Sequence, residues 1–363
     1  MKGADGLEGA VETRVVKVDP GRIDEALMEF PVSCIRRSEV VAFPTETVYG
    51  LGANALDTNA VKKIFLTKRR PQDNPLIVHI SDLAMLHLLV QEVPPKAQAL
   101  MSKFWPGPLT LLFAKSALVP DSVVCGQPTV AVRMPSHPIA LKLISLSQLP
   151  IAAPSANLSG RPSPTTAQHV IADLTGRCPC IIDGGPAQGG VESTVVDITK
   201  GLILRPGIIT LEQLQEVYPD IQNYSKSSHG DLSDKPPTPG LKYRHYAPVA
   251  DVVVIEFNNL EKMKESIIEL WNQNNDKKFG LIHTHPLLKL PQKLTNHPNF
   301  IKIDLVNPNS SDPDLKEVAK GIFGALRDLD FLGVNVIVME GVTEQQEGLA
   351  IMNRIRKAAK HII

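Results

Sequence analysis

Three features of the amino-acid sequence predict an α/β protein with two domains. Short apolar runs alternate with amphipathic segments from residue 40 to about residue 218, and the same alternation begins again after residue 250. A stretch rich in Ser, Asp, Pro and Lys separates the two regions and has no sustained periodicity. The chain has 363 residues, 43% of them hydrophobic, which is enough to form two hydrophobic cores.

Seven strands are predicted in the first region, with helices between them. The final strands follow each other closely, which implies some antiparallel pairing. The predicted strands are Val40–Phe43, Leu76–Ile80, Leu109–Phe113, Val130–Arg133, Ile151–Ala153, Thr194–Ile198 and Leu202–Leu204. Helix N-caps are predicted at Asp57-Thr58 for a helix to Leu66, at Ser81-Asp82, at Thr165-Thr166, and at Thr210 for a helix ending near Tyr218.

A second, smaller domain is predicted after residue 248. Its elements alternate as in a Rossmann-like parallel sheet, but no G-x-G-x-x-G turn follows the first strand, so no dinucleotide is expected there. The predicted strands are Asp251–Phe257, Phe279–His283, Phe300–Leu305 and Val334–Met339, and the predicted helices are Leu260–Trp271, Leu315–Phe331 and Glu347–Ala359. The predicted boundaries are a flexible tail over 1–20, a catalytic domain over 21–220, a linker over 221–248 and a C-terminal domain over 249–363.

Composition excludes several classes of protein. The formal net charge is zero and aromatic residues make up 5%, so the basic field and aromatic surface of a dedicated nucleic-acid binder are missing. Four scattered cysteines and no secretory signal indicate a reducing compartment, and the short acidic N-terminal segment argues against a transit peptide. A cytoplasmic location is therefore expected. No membrane association is expected either, because no apolar run approaches the roughly 20 residues that a spanning helix needs.

Two short motifs could suggest a metal, and both have a simpler explanation. Cys178-Pro179-Cys180 lacks the two-residue spacing of a zinc knuckle and precedes the apolar Ile181-Ile182, so structural cysteines are expected. His283-Thr284-His285 has no indicated third ligand, and a loop at the end of a strand explains it better. No metal ligands of the protein are predicted.

A cationic segment and a distant polar loop together predict a polyphosphate site. Lys68, Arg69 and Arg70 stand where a predicted helix ends, before Pro71. One cation would be enough to complement the helix dipole, whereas three cations before a turn favour a site that binds phosphates. Arg69 is expected to face solvent. Ser155-Ala156-Asn157 follows a predicted strand in a Gly- and Pro-shaped loop that can form an anion-binding nest. The G-x-S-x-G elbow of a serine hydrolase is absent there.

Polar residues near other strand ends predict a second subsite. In Pro44–Gly50, Thr45 and Thr47 could face a substrate or only satisfy turn amides. His79 lies near a strand end, where a lone histidine is more often structural. Arg133 lies in an otherwise apolar run and needs a partner, which could be a structural carboxylate or that of a substrate.

Two further segments extend the predicted site. Ser193 precedes one strand and Arg205 ends the next, so both can lie at one edge of the sheet. Tyr243-Arg244-His245-Tyr246, in the linker, carries two rings and an Arg, which is more than a passive tether requires. No paired carboxylates, Cys-His dyad or zinc cluster stands out, so catalysis is expected to rest on positioning and charge neutralisation.

Taken together, these motifs resemble the YrdC-like threonylcarbamoyl-AMP synthases, in their two-domain form. The resemblance runs from about Val40 to Pro206 and resumes at Thr238–Pro248, and several separate motifs occur in the expected order. It implies a twisted open mixed sheet with helices, followed by a smaller Rossmann-like α/β domain. It also implies that the linker folds back as a lid over ATP.

The resemblance assigns roles to individual residues. It places L-threonine beside Thr47, His79, Arg133, Ala153 and Ser193. It implies ATP binding by Lys68, Arg70, Asn74, Thr129, Ser155, Asn157, Ser163, Arg205, His245 and Tyr246, with Lys68 and Arg70 as the catalytic cations.

The implied reaction is a nucleotidyl transfer. L-threonine and bicarbonate give N-carboxythreonine, which attacks the α-phosphate of ATP, helped by Mg2+, to form L-threonylcarbamoyl-AMP and pyrophosphate. The adenylate would serve downstream transfer machinery that makes N6-threonylcarbamoyladenosine at position 37 of tRNAs reading ANN codons. One alternative is an RNA-binding module without turnover, whose phosphate contacts would come from basic residues such as Lys62 and Lys63. A hydrogenase-maturation carbamoyltransferase is less consistent, because zinc-finger spacing and an acylphosphatase module are not evident.

Overall fold

The chain divides into two compact units. The computed structural model describes residues 11–225, 238, 245–307 and 309–363. The first unit comprises Met1–Ser159, Ser163–Gln188 and Glu192–Tyr243, and the second comprises Gly160–Pro162, Gly189–Val191 and Arg244–Ile363. No helix among the described residues has the length and apolar character that crossing a bilayer requires.

The first unit is built on a mixed sheet. Its strands are β1 (Arg14–Lys17), β2 (Val41–Phe43), β3 (Gly50–Asn54), β4 (Ile77–His79), β5 (Leu109–Ala114), β6 (Thr129–Arg133), β7 (Ile151–Ala152), β8 (Cys180–Asp183), β9 (Thr194–Asp197), β10 (Leu202–Arg205) and β11 (Gln222–Asn223). Their order is β1-β8-β2-β3-β7-β4-β6-β5-β9-β10-β11. The sheet contains both parallel pairs, such as β4 with β6, and antiparallel pairs, such as β5 with β6. The predicted mixed sheet is confirmed.

The described helices of the first unit include several that begin at a capping side chain. The described helices are α1 (Glu25–Arg36), α2 (Thr58–Lys68), α3 (Leu83–Leu89), α4 (Pro95–Phe104), α5 (Asp121–Val124), α6 (Pro138–Ser147), α7 (Ala167–Leu174) and α8 (Leu211–Gln215). Asp57, Asp82, Thr166 and Thr210 each accept a backbone N–H of the first turn, as predicted. Thr210 also forms a reciprocal capping box with Gln213.

The two faces of the sheet differ in what they bury. Val130 and Val132 of β6 belong to the larger apolar core. Ala131 belongs to a smaller cluster on the opposite face, together with Ile77 of β4 and Val195 of β9. Because side chains alternate along a strand, the last residues of β4 and β6 have their side chains on the same face as this smaller cluster.

The second unit contains a parallel sheet, in agreement with the predicted Rossmann-like domain. Its strands are β12 (Asp251–Ile255), β13 (Phe279–His283), β14 (Phe300–Asp304), β15 (Val336–Glu340) and β16 (His361–Ile362). They lie in the order β14-β13-β15-β12-β16, and every pair is parallel. The helices are α9 (Leu260–Asn274), α10 (Gln292–Thr295), α11 (Leu315–Phe331) and α12 (Glu347–Ala358).

The two motifs considered as metal sites have structural roles. Nδ1 of His283 lies 2.8 Å from Oε1 of the buried Glu340, and Nε2 of His285 lies 2.7 Å from the Gly341 carbonyl oxygen. The thiol of Cys178 donates to the carbonyl oxygen of Cys180 at 3.0 Å, and burial raises the pKa of Cys178 to about 12. All four cysteines are free thiols.

The sequence predictions missed several elements and misjudged two segments. The tail predicted over 1–20 is wrong for Arg14–Lys17, because β1 pairs in parallel with β8. The linker predicted over 221–248 is wrong at its start, because β11 pairs with β10. Residues 226–237 and 239–244 of that linker lie outside the described residues. β3 and α1 were also not predicted. β3 contains two glycines and α1 contains Pro31, and these residues weaken the local pattern of a strand and of a helix.

Candidate active site

The candidate site lies on the face of the first unit's sheet that carries the smaller apolar cluster. His79 ends β4 and Arg133 ends β6, and the two residues are partners in the parallel register. Both share a face with Ile77 and Ala131, two strand positions away in each case. The predicted grouping of Thr129, Ala131 and Arg133 on one face agrees with this alternation.

The Arg133 guanidinium contacts three buried groups. Nη1 donates to Thr47 Oγ1 at 3.0 Å, and Nε donates to the Gly107 carbonyl oxygen at 3.3 Å. Nη2 lies 2.6 Å from Oε1 of Glu46 in an ion pair whose side chains are 4% and 11% exposed. The structure therefore contains the structural carboxylate that was one of two predicted partners of Arg133. A threonine carboxylate as its further partner stays a prediction.

The loop between β2 and β3 directs Glu46 and Thr47 toward Arg133. Thr45 Oγ1 donates to the Val48 carbonyl oxygen at 2.6 Å and accepts the backbone N–H groups of Thr47 and Val48. It also lies 2.8 Å from Thr47 Oγ1. Thr45 thus satisfies turn amides, as the simpler interpretation predicted, whereas Thr47 makes the contact to the guanidinium.

His79 is buried and uncharged. Burial, together with the nearby positive charge of Arg133, lowers the pKa of His79 to about 3, against an ordinary value of 6.5. Its ring packs edge-on against Phe43, with ring centroids 6.4 Å apart. A neutral imidazole can donate from one nitrogen and accept at the other, which suits a small polar ligand.

Ser193 and Arg205 form a second hydrogen-bonded cluster at the edge where β9 begins. The Arg205 guanidinium donates to the Ser193 carbonyl oxygen from Nε and Nη2, at 3.1 and 2.9 Å, and to Ser193 Oγ at 3.1 Å. Ser193 Oγ also lies 2.8 Å from Oγ1 of the buried Thr110. The two residues therefore lie together, as predicted, and in addition they are hydrogen-bonded to each other.

Lys68 fastens the 155–157 loop to the end of α2. Its Nζ donates to the Asn157 carbonyl oxygen at 2.5 Å and to the carbonyl oxygen of Ser155, and the residue is only 1% exposed. Ser155 Oγ donates to Asn157 Oδ1 at 2.6 Å. The cationic segment and the polar loop, 87 residues apart, are thus brought together as predicted. Arg69 is exposed, also as predicted.

Arg70 supports the segment that leads into β4. Its guanidinium donates to the carbonyl oxygens of Asn74 and Pro75 at 3.2–3.3 Å. Asn74 is 2% exposed, and its Oδ1 has no hydrogen-bond partner. A buried acceptor without a partner is uncommon in proteins and suits a donor on a ligand.

Two family models match the chain. One, described as Telomere recombination, matches residues 33–207, and the other, described as Threonylcarbamoyl-AMP synthase, C-terminal domain, matches residues 209–360. The threonylcarbamoyl-AMP synthase of Pyrococcus abyssi is 46% identical over 352 residues, which cover 94% of this chain and 96% of the relative. The chain belongs to the threonylcarbamoyl-AMP synthase family. The synthase of Bacillus subtilis is 46% identical over 328 residues, or 90% of each chain.

Solved structures of this synthase family share the architecture. The crystal structure of P. abyssi Sua5 complexed with L-threonine superposes with a TM-score of 0.86 at 46% sequence identity, over 96% of this chain and 99% of that chain. The predicted resemblance to the two-domain synthases is confirmed.

Of the remaining residues that the resemblance singled out, Ser163, Ala153 and Thr129 belong to the first unit, and His245 and Tyr246 belong to the second. In the first, Ser163 Oγ donates to Glu192 Oε1 at 2.6 Å, the Ala153 N–H donates to Ile77 O at 2.9 Å, and the half-buried Thr129 starts β6. In the second, the His245 and Tyr246 ring centroids are 5.6 Å apart. Tyr246 also packs on Phe323 at 5.0 Å. Tyr243 and Arg244 lie outside the described residues, and contact of the linker with ATP stays a prediction.

Sequence reasoning missed Glu46, Glu192 and Thr110. Glu46 lies in the Pro44–Gly50 segment between Thr45 and Thr47, and an acidic residue between two threonines predicted to face a substrate is itself a signal. Glu192 and Thr110 acquire their contacts only through distant residues, so no local pattern marks them.

Protein ligands for a resident metal are not found in the described part of this synthase. Across residues 11–225, 238, 245–307 and 309–363, no group of three or more His, Cys, Asp or Glu side chains could hold a metal ion.

Proposed function

We propose that this chain synthesises L-threonylcarbamoyl-AMP from L-threonine, bicarbonate and ATP, with release of pyrophosphate. The observation that carries the proposal is the 46% identity, over nearly the whole of both chains, to a protein whose structure was solved with L-threonine. The buried cations and unpartnered polar atoms on the sheet face of the first unit support it. The enzyme class is that of an ATP-using nucleotidyltransferase.

The threonine subsite would be built around Arg133. A guanidinium in a fixed position suits a carboxylate, and Thr47 holds one of its nitrogens at 3.0 Å. His79 would present a neutral ring, because its pKa of about 3 keeps it uncharged at neutral pH. The Ser193 hydroxyl and the backbone around Ala153 would complete the subsite.

The ATP subsite would use the cations at the end of α2 and at the end of β10. Lys68, Arg70 and Arg205 would offset polyphosphate charge, since preorganised cations stabilise charge that develops in a transition state. Asn74 Oδ1 offers a buried acceptor to the nucleotide. Thr129, Ser155, Asn157 and Ser163 would supply further polar contacts. Mg2+ would enter bound to ATP, as part of the substrate.

The chemistry needs no covalent group from the protein. A carboxylate oxygen of N-carboxythreonine would form the new P–O bond to the α-phosphate, and the bond from that phosphorus to the bridging oxygen would break to release pyrophosphate. The residues above would align the reactants and offset charge. Carbamates and mixed anhydrides decompose in water, so a closing linker would protect the intermediate. Deleting residues 236–248 should lower the adenylate yield, and full activity without them would refute the lid.

The direct test is an omission assay. Purified protein is incubated with ATP, Mg2+, bicarbonate and L-threonine, each left out in turn, while pyrophosphate release and adenylate mass are measured. Product that requires both threonine and bicarbonate is expected. No product, together with tight salt-sensitive RNA binding, would instead support the RNA-binding alternative. Lys63 is one of the basic residues considered for RNA binding. Its Nζ lies 2.5 Å from Oε1 of Glu39, in an ion pair.

The biological setting follows from the product. We propose that the adenylate is consumed by a transfer machinery that modifies adenosine 37 of tRNAs reading ANN codons, in the cytoplasm. Adding such machinery and an unmodified tRNA to the omission assay should give N6-threonylcarbamoyladenosine. A product that the machinery does not accept would contradict this part of the proposal.

A further inference from the structure

Four buried polar atoms around Arg133 have no hydrogen-bond partner. They are Oε1 and Oε2 of Glu46, Nη2 of Arg133 and Nδ1 of His79. Glu46 is 9% exposed, Arg133 3% and His79 4%. Because buried polar side chains in proteins are nearly always hydrogen-bonded, such a group of atoms suits a ligand that carries both donors and acceptors.

The Glu46 carboxylate is not needed to hold Arg133 in place. Nε and Nη1 of the guanidinium are already fixed by Gly107 and Thr47. The Glu46 oxygen lies 2.6 Å from Nη2 but outside hydrogen-bonding geometry, so both charged groups retain bonding capacity. The loop instead presents a buried negative charge beside a buried positive one.

A zwitterion is the ligand that fits this pair of charges. Its carboxylate would accept from Arg133 Nη2, and its ammonium would donate to Glu46, giving a ring of alternating charges. Each charge would then have an opposite charge on either side, which lessens the penalty of burying all four. An α-amino acid has both groups on one carbon and is small enough to span both side chains.

We propose that Glu46 binds the α-amino group of the amino-acid substrate, an inference that rests on the proposed function. Glu46 therefore selects amino acids over hydroxy acids and fixes the direction in which the nitrogen faces. After carboxylation that nitrogen still carries one N–H, which the same carboxylate can accept, so the contact persists through the reaction.

The test compares two ligands on three proteins. Isothermal titration measures binding of L-threonine and of the stereochemically matched 2,3-dihydroxybutanoate, in which a hydroxyl replaces the amino group. The proteins are wild type, Glu46→Gln, and Glu39→Gln as a control, since Glu39 is a partly exposed surface partner of Lys63. Circular dichroism and thermal melting establish that each protein is folded.

The expected result is a selective loss. Glu46→Gln should weaken threonine binding about tenfold or more, as expected for losing a hydrogen bond between charged groups, and leave the hydroxy acid within about threefold. Glu39→Gln should change neither. Equal weakening of both ligands would show that Glu46 only positions Arg133 and would overturn the proposal, as would an unchanged threonine affinity.

Wild type provides an independent check should Glu46→Gln fail to fold. Wild-type protein should bind threonine at least about tenfold more tightly than the hydroxy acid, and equal affinities would also overturn the role of Glu46. If wild type binds no threonine at all, the proposed function itself fails, which separates the two conclusions.

Discussion

Replacing Thr47 with valine tests the contact that links the β2–β3 loop to Arg133. Valine has nearly the same shape as threonine, so no cavity forms, and a methyl group replaces the hydroxyl, which also lies 2.8 Å from Thr45 Oγ1. Thr47 is 1% exposed, and its Oγ1 accepts from Arg133 Nη1 at 3.0 Å. Losing a buried hydrogen bond to a charged group costs about 1.5–3 kcal/mol of the free energy of unfolding. We expect about 2 kcal/mol and a roughly tenfold weaker threonine affinity.

The matched control is Thr47→Ser, which keeps the hydroxyl and loses one methyl group, at a cost of about 1 kcal/mol. Urea unfolding is followed by tryptophan fluorescence in a Trp271→Phe background, so that Trp105 reports on the first unit alone. Threonine affinity is measured by titration calorimetry. If Thr47→Val is as stable as Thr47→Ser and binds threonine equally well, the hydroxyl does not hold the guanidinium and the reasoning is refuted.

Three further predictions follow from the same contacts. Lys68→Met should lower kcat/KM for ATP about 100-fold, because a buried cation and its two loop carbonyl contacts are lost; unchanged steady-state kinetics would contradict this. Burial and the positive charge of Arg133 lower the pKa of His79 to about 3, so below pH 6.5 the unfolded chain binds a proton that the folded chain does not. When the pH falls from 6.5 to 5, the free energy of unfolding of wild type should therefore drop by about 2 kcal/mol more than that of His79→Asn, as measured by urea unfolding. Equal drops would argue against a buried neutral ring. Gly52→Ala should cost about 1–3 kcal/mol, since its Cβ would meet Ile151 Cγ2 and lie 2.6 Å from Phe43 Cε1, and an unchanged melting temperature would mean that these side chains move aside freely.

Local patterns in the sequence were sufficient for much of the fold. All seven strands predicted in the first unit occur, displaced by at most one residue at an end, and Leu315–Phe331 occurs as predicted. Apolar alternation and capping side chains act within a few residues, so the sequence displays them directly. β1 and β11 were missed because they are short edge strands, which depend on β8 and β10 for their hydrogen bonds.

The candidate site could be predicted only in part. The motifs identified Lys68, Ser155 and Asn157 as neighbours, and the Lys68 hydrogen bonds agree with that. The prediction that Lys68 and Arg70 touch phosphates stays a prediction, because their described contacts are backbone carbonyl oxygens. Such contacts depend on the direction of each side chain after folding, which the spacing of residues in the sequence does not determine.

The sequence by itself determined the α/β class, the positions of most elements, the family, and which cations and hydroxyls lie near strand ends. Only the tertiary structure decided the order of the strands in the sheet, the ion pair between Glu46 and Arg133, and the neutral state of His79. The physical reason is distance along the chain. Thr47 and Arg133 are 86 residues apart, so their contact, and the burial that suppresses the charge of His79, arise when distant segments pack together.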